Sequence, residues 1–292
     1  MVLIPCDNKV QIPEYAESQS PPAYTPYDTP TESIASSYPQ DLSSLPSPSF
    51  STASTSTYTP TTTAPPNIPI SNAVSSCRSV FLSGPLKILD SVSSSSTITL
   101  FHHVTVTGPI RCSARVNLLD DVTVSGDVKA SSPVTLDGRE GKGGVVIMGT
   151  VKSSSSVEMR GNVYVQGDVK SSAKVLLEGV GGLVRVGGKV DASGPVTIRG
   201  AVEVGSVESS GKIVVESLET QRIVLGELES KGGMEIGGDV EVRDFKASGS
   251  VKINGKLHVH GNFTVHGNVK VQTGSELIVN GRRTIHGKLE NA

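Results

Sequence analysis

The chain has 292 residues, a formal net charge of −2, 31 glycines, no tryptophan and only 4% aromatic residues. This near-neutral charge argues against bulk binding of nucleic acid, and the scarcity of aromatic residues argues against a globular core of large rings. The start, MVLIPCDNKVQIP, lacks the features of a signal peptide, and no apolar run approaches the roughly 20 residues of a membrane helix. The apolar MVLI segment is compatible with a contact to a membrane surface.

Cysteine usage bears on the compartment and on metal sites. Cys6, Cys77 and Cys112 are too few and too scattered for a disulfide framework or a zinc site. A reducing compartment fits this pattern, so the sequence predicts a cytoplasmic protein. We expect neither a cofactor nor a bound metal.

Residues 1–79 form the first predicted segment, a disordered tail. This segment holds thirteen of the 17 prolines and five of the six tyrosines. Such a composition buries too little apolar area to offset the entropy of ordering. Pro21, Pro22 and Tyr24 belong to the sequence PPAY, which matches the PPxY pattern bound by WW domains. The prolines favour a polyproline II helix that docks in an aromatic groove, so a WW-domain protein is a candidate partner.

Residues 80–292 form the second predicted segment and repeat one short pattern. An apolar-x-apolar-x-glycine stretch, or a close variant, recurs eleven times at steps of 17 to 24 residues, and two further alternating stretches follow most copies. Alternation turns one side chain inward and the next outward, and nearly all inward positions are Val, Ile, Leu or Met. The copies begin at Val80, Val104, Val122, Val145, Val163, Val184, Val202, Ile223, Val240, Leu257 and Leu277.

Three short strands per repeat predict an all-β fold, a single-stranded parallel β-helix. We expect a triangular β-solenoid of about eleven coils, in which each strand pairs with its copy in the next coil. Gly-Asp, Gly-Asn and Ser-Ser pairs suit the tight corners, and the extra segment REGKG at 139–143 should bulge from one of them. An antiparallel sandwich or barrel also has short strands and many turns, but the regular spacing favours the solenoid.

The repeats resemble those of bactofilins, which are polymer-forming cytoskeletal proteins. The resemblance is carried by stretches such as GDVKASSPVTLDG, GTVKSSSSVEMRG and GSVKINGKLHVHGNFTVHGNVKV, and it covers residues 80–289. It lies in the style of the repeat rather than in an invariant motif. The resemblance implies a triangular right-handed β-helix that polymerises end to end without nucleotide, behind a proline-rich disordered arm.

The outward positions of the second strand carry runs of like charge. Like charges directly across neighbouring strands are destabilising, so these runs need either solvent or a matching partner. They form either a solvated face that blocks lateral aggregation or a surface of two signs that orders neighbouring filaments or holds an acidic surface. The predicted column is Lys87, Arg111, Lys129, Lys152 and Lys170, then Asp191, Glu208 and Glu229, then Lys246.

Both ends of the repeat region are predicted to be open strand edges. A parallel solenoid leaves unpaired N–H and C=O groups on its first and last coils, and no amphipathic helix is predicted at either end to cover them. Such edges favour assembly with further copies of the chain, although the charges of Arg282 and Arg283 oppose it. The residues expected at the two ends are Val80, Phe81, Leu82, Leu277, Val279 and Ile285.

Enzymatic functions fit the sequence less well. Hexapeptide acyltransferases usually place glycine directly after the inward aliphatic residue, whereas glycine here follows two residues after it, as in Val259-His260-Gly261. Solenoid enzymes that act on polysaccharides usually need long loops and aromatic residues. His266 and His286 lie in the matching contexts TVHGNVK and TIHGKLE, so we expect them to stack on adjacent coils as solvated corner residues.

The leading prediction is therefore a structural, non-enzymatic β-solenoid that assembles with itself. One alternative is a monomeric adaptor in which the solenoid is a rigid stalk and PPAY recruits a WW-domain protein. A third is a β-helix enzyme that acts on polysaccharide or acyl groups.

Overall fold

The computed structural model describes residues 2–3, 70–139, 143–218 and 221–291. Within these ranges the chain contains 29 strands and no helix, and therefore no helix long and apolar enough to cross a membrane. In chain order the strands are β1 Val2–Leu3, β2 Ile70–Ser71, β3 Val74–Ser76, β4 Val80–Ser83, β5 Leu86–Ile88, β6 Val92–Ser94, β7 Ile98–Phe101, β8 Val104–Val106, β9 Ile110–Cys112, β10 Val116–Leu119, β11 Val122–Val124, β12 Val128–Ala130, β13 Val134–Gly138, β14 Val145–Ile147, β15 Val151–Ser153, β16 Val157–Gly161, β17 Val163–Val165, β18 Val169–Ser171, β19 Val175–Ala192, β20 Val196–Ser209, β21 Ile213–Glu216, β22 Ile223–Ser230, β23 Met234–Ala247, β24 Val251–Val259, β25 Phe263–Val265, β26 Val269–Val271, β27 Glu276–Val279, β28 Arg283–Ile285 and β29 Leu289–Asn291.

The strands stack in parallel as a β-solenoid, which confirms the predicted fold class. Each coil contributes to three faces, and the first face is defined by the inward column that the sequence predicted. Its strands pair in twelve successive coils, one more than predicted. The column residues Val104, Val122, Val145, Val163 and Val184 are in register. None of the five is more than 2% exposed.

The first predicted repeat lies on a different face from the one that the sequence predicted. Val80 pairs with Ile98 on the third face, whereas Leu86 pairs with Val104 on the first face. The step from Val80 to Val104 is therefore a coil of 18 residues preceded by one extra face of six. Because every face carries the same alternation, periodicity alone does not distinguish a long coil from an additional face.

The solenoid also begins before residue 80. Strand β2 pairs with β5, and β3 pairs with β6, so both belong to the stack. The backbone of β1 pairs with β3 in turn, through Val2 with Val74 and Leu3 with Ser75. Val2 and Leu3 thus lie along the edge of the second face.

The Gly-Asp corners are explained by the close approach of consecutive coils. A Cβ atom on Gly126 would lie 2.6 Å from the backbone carbon of Gly108 in the neighbouring coil, so only glycine fits there. Beside it, Oδ1 of Asp127 accepts hydrogen bonds from N and Oγ1 of Thr150, each 2.9 Å long. These bonds satisfy a corner amide and hold the pKa of the Asp127 carboxyl below its usual range.

The state of the cysteines differs from the prediction. Cys112 is a buried free thiol, whereas Cys77 is disulfide-bonded.

Candidate functional site

A column of basic side chains runs along the second face. Arg111, Lys129, Lys152 and Lys170 lie directly opposite one another in four successive strands, β9, β12, β15 and β18. All four residues are exposed. Parallel strands are about 4.8 Å apart, so this column places positive charges at short and regular intervals along the solenoid.

Lys87 is not part of this column, so its predicted position is wrong. It lies opposite Thr105 on the first face, and Ser93 takes the place opposite Arg111. The cause is the same one-face displacement of the first coil that moved Val80.

Serine hydroxyls flank the basic column, and together they line a groove with a volume of about 820 Å³. Each basic residue is followed two positions later by an outward serine. Lys129 Nζ lies 3.9 Å from Asp127 Oδ2, and Lys170 Nζ lies 3.7 Å from Asp168 Oδ2. Such exposed pairs contribute little, so the surface keeps a positive character. We call it the basic serine groove; it is defined by Arg111, Lys129, Lys152, Lys170, Ser113, Ser131, Ser154 and Ser172.

The acidic part of the column follows in register but is neutralised within the chain. Asp191 lies opposite Lys170, and Glu208 and Glu229 continue the column. Glu208 pairs with Lys189, whose hydrogen bond lowers the pKa of the Glu208 carboxyl. Glu229 Oε1 lies 2.7 Å from Nζ of Lys246, the next member of the column. Of the two signs predicted, the positive one is therefore the more available to a partner.

A second set of serines points inward at the ends of five strands of the second face and closes the corners that follow them. Ser209, which is fully buried, donates a hydrogen bond of 2.7 Å to the carbonyl of Gly194 and accepts one of 3.0 Å from the amide of Gly211. Cys112 Sγ accepts a bond from the amide of Ala114 in the same way. The Ser-Ser pairs thus combine an inward hydroxyl that satisfies backbone with an outward one that faces solvent. The inward serines are Ser94, Ser153, Ser171, Ser209 and Ser230.

Replacing Ser209 with alanine is expected to destabilise the solenoid by about 1–3 kcal/mol, because a partly buried amide and carbonyl lose their partner. Thermal or denaturant unfolding measures the change. Ser210→Ala is the matched control, since Ser210 is the exposed neighbour. Equal effects of the two substitutions would show that the inward hydroxyl has no special role.

The last coil presents an open strand edge. Among the described residues, β27, β28 and β29 each pair with a strand on one side only. Leu277, Val279 and Ile285 are half-buried, although the residues opposite them one coil earlier are fully buried. Arg283 occupies the inward position that Phe263 fills in the preceding coil, which places one charge at this edge.

The first coil is more covered than the last one. Strand β1 lies along β3, while β2 and β4 pair only towards the body of the solenoid among the described residues. Val80 and Leu82 point inward from β4. Phe81 points outward, is 67% exposed and contacts Phe101 at a ring-centroid distance of 4.8 Å. It therefore belongs to the lateral surface rather than to the end.

One prediction about the histidines is confirmed, and one cluster of potential metal ligands was not predicted. His266 and His286 stack on adjacent coils, as predicted, with ring centroids 4.7 Å apart and an interplanar angle of 10°. The missed cluster is Glu241, His258 and His260, each of which offers one ligand atom within 4.8 Å of the others. Extending the outward column of the first face to its last coils would have placed Glu241 opposite His258.

The PPAY residues Pro21, Pro22 and Tyr24 lie outside the described residues. The REGKG segment lies partly outside them, since 140–142 are not described.

No family model, curated protein or solved structure matches this chain. Its class is therefore defined by its fold, a parallel β-solenoid with a basic groove on one face.

Proposed function

We propose that this chain is a non-enzymatic structural scaffold that assembles with copies of itself end to end. The observation that carries the proposal is the edge of the last coil, where three strands each lack a neighbour on one side among the described residues. Exposed strand edges are templates for further pairing, and natural solenoids usually cover them. The resemblance of the repeats to bactofilins supports the same function.

Stacking would complete the core as well as the hydrogen bonds. Leu277, Val279 and Ile285 continue the inward columns of the solenoid and are only half-buried in the single chain. Leu289, one of the inward residues of β29, is 44% exposed. A further coil placed on this edge would bury all four side chains, and apolar burial contributes about 25 cal/mol per Å².

The opposite end would accept the incoming coil through β2 and β4. The edge of β3 is already covered by β1, but only two residues pair there. An incoming strand of equal or greater length could replace that short pairing. In a filament the basic serine groove would recur on each copy and present a repeating positive surface to an acidic partner.

The compartment of assembly depends on the disulfide at Cys77. A cytoplasmic location, which the cysteine count predicts, requires the solenoid to persist after reduction of that bond. Assembly assays are therefore run with and without reductant.

The test is sedimentation velocity and electron microscopy of the purified full chain over a range of protein concentrations. We expect unbranched filaments whose length increases with concentration. A chain that sediments as a monomer at high concentration and moderate salt, with or without reductant, would overturn the proposal and favour a monomeric stalk.

The PPAY sequence favours a second candidate function, an adaptor for a WW-domain protein. Tyr24→Ala is expected to weaken binding to a WW-domain panel roughly thirtyfold, because a buried aromatic anchor of this kind contributes at least about 2 kcal/mol. Tyr27→Ala is the control, since Tyr27 lies three residues further on and outside the motif. Binding that survives Tyr24→Ala, or that Tyr27→Ala weakens equally, would remove PPAY from the function.

A further inference from the structure

Three potential metal ligands converge on the outer surface of the first face. Glu241 on β23 lies directly opposite His258 on β24, in the same outward column of adjacent coils. His260 follows two residues after His258, and Nε2 of His260 lies 3.5 Å from Oε2 of Glu241. The two imidazole rings have centroids 4.1 Å apart, and one ligand atom from each of the three residues lies within 4.8 Å of the others.

The backbone beneath these side chains is fixed by the core. Leu257 and Val259 flank His258, and both are fully buried in the aliphatic interior. The amide of His260 donates a hydrogen bond of 2.9 Å to the carbonyl of Val242, which extends the pairing past the end of β24. Ligands on rigid strands need little rearrangement to bind an ion, and this lowers the entropic cost of binding.

We propose that Glu241, His258 and His260 bind a divalent first-row transition-metal ion of the Zn²⁺ type. Two imidazoles and one carboxylate suit zinc and its neighbours, whereas Mg²⁺ and Ca²⁺ prefer sites made of oxygen atoms. With three protein ligands, one coordination position stays open to water or to an external group. His260 and Glu241 are partly exposed, so an ion can reach them from solvent. This inference does not depend on end-to-end assembly.

A competing cation already contacts the carboxylate. Arg222 forms an ion pair with Glu241, and the Arg222 side chain is 65% exposed. It can therefore move into solvent when an ion arrives, but its positive charge opposes metal binding. Removing this charge should strengthen binding, an effect that a purely structural cluster would not show.

Asn280 supports the second ligand from the next coil. Its amide nitrogen lies 3.0 Å from Nε2 of His258. When an ion binds Nδ1, the amide must turn over so that its Oδ1 accepts a hydrogen bond from Nε2–H and orients the ring. Outer hydrogen-bond partners of this kind orient ligating histidines in known metal sites. An ion at this position would join β23 to β24, and Asn280 would connect the site to the coil of β27.

The experiment uses the tag-free full chain, stripped of metal with a chelator and then dialysed. Calorimetric titration with Zn²⁺ measures affinity, and the visible absorption of added Co²⁺ reports its coordination. We expect one ion per chain. His258→Ala, His260→Ala and Glu241→Gln should each weaken binding at least about tenfold, because even the loss of an outer partner has effects of that order.

Matched variants separate this site from adventitious binding. His266→Ala and His286→Ala are controls, since these stacked histidines belong to no three-ligand group among the described residues. They should leave the affinity unchanged, while Arg222→Ala should increase it severalfold. The ligand positions face outward, and circular dichroism checks that each variant folds.

Three results would overturn the proposal. The first is the absence of a saturable site for one Zn²⁺ per chain. The second is an affinity that the substitutions at Glu241, His258 and His260 leave unchanged. The third is binding that is lost with His266→Ala or His286→Ala. If a ligand variant failed to fold, the expected gain with Arg222→Ala would decide the question, since unchanged or weaker binding in that variant would contradict the proposal.

Discussion

Replacing Val165 with aspartate is expected to abolish cooperative folding of the central coils. Val165 is fully buried and lies in register between Ile147 and Val186 on neighbouring strands. The aspartate would put an unpaired carboxylate into an aliphatic interior, at a cost of more than about 4 kcal/mol. That is a large fraction of the roughly 5–15 kcal/mol that stabilises a typical folded domain.

Thermal unfolding followed by circular dichroism measures this effect. Tyr164→Asp is the matched control, because Tyr164 is the adjacent residue of β17 and its side chain points outward. It introduces the same carboxylate beside Arg185, with which it lies in register, and should leave the melting temperature within a few degrees of the wild type. Similar melting of the two variants would contradict the assignment of Val165 to the core.

Solenoid architecture also determines how far the damage spreads. Each coil contacts only its immediate neighbours, so stability is close to a sum over coils and their interfaces. A defect at Val165 should therefore separate the solenoid into folded segments on either side rather than destabilise every coil equally. Hydrogen exchange would detect this as loss of protection centred on β14, β17 and the first-face part of β19.

The sequence was sufficient to predict most of the fold because local alternation and coil spacing agree. From Val104 onward the three inward columns follow directly from apolar residues at alternate positions, and the observed pairing of Val104 with Val122 confirms them. The prediction failed where these two signals separate. At Val80 and Lys87 the alternation continues, but one extra face of six residues precedes the first regular coil. No local feature marks this extra face.

The candidate sites were less predictable because they depend on register across coils. The repeat alone was enough to predict the column from Arg111 to Lys170. The neutralisation of Glu208 by Lys189 instead requires knowing which side chains meet diagonally between adjacent coils. The metal-ligand cluster depends on the pairing of β23 with β24. These two strands are joined by a short corner and are longer than the three- to five-residue strands of the earlier coils. The disulfide at Cys77 has no signature in cysteine spacing at all.

Replacing Leu277 with lysine is expected to convert filaments into monomers. Leu277 lies opposite the fully buried Leu257 and points along the inward column, yet it is only half-buried because no coil follows it among the described residues. In a stacked assembly this side chain would enter the apolar junction between two copies. A lysine there would have to lose its hydration without gaining a partner, and each 1.4 kcal/mol of that cost raises the dissociation constant about tenfold.

The control for this prediction is Ile278→Lys in the same strand. Ile278 is the outward neighbour of Leu277 and lies opposite His258 on the lateral surface. Both variants add one positive charge to β27, so a general electrostatic effect would change their assembly equally. We expect Leu277→Lys to raise the concentration needed for filament formation at least tenfold and Ile278→Lys to change it little, with the melting of the central coils unaffected in both.

Arg283 allows a second test of the same junction. It already places a guanidinium in an inward position of the last coil, opposite Phe263, so the junction carries one charge before any substitution. Because that charge opposes stacking, Arg283→Phe should extend the aromatic stack of Phe245 and Phe263 and lower the concentration needed for filament formation. An Arg283→Phe variant that assembles no more readily than the wild type would exclude the exposed edge of the last coil as the assembly surface.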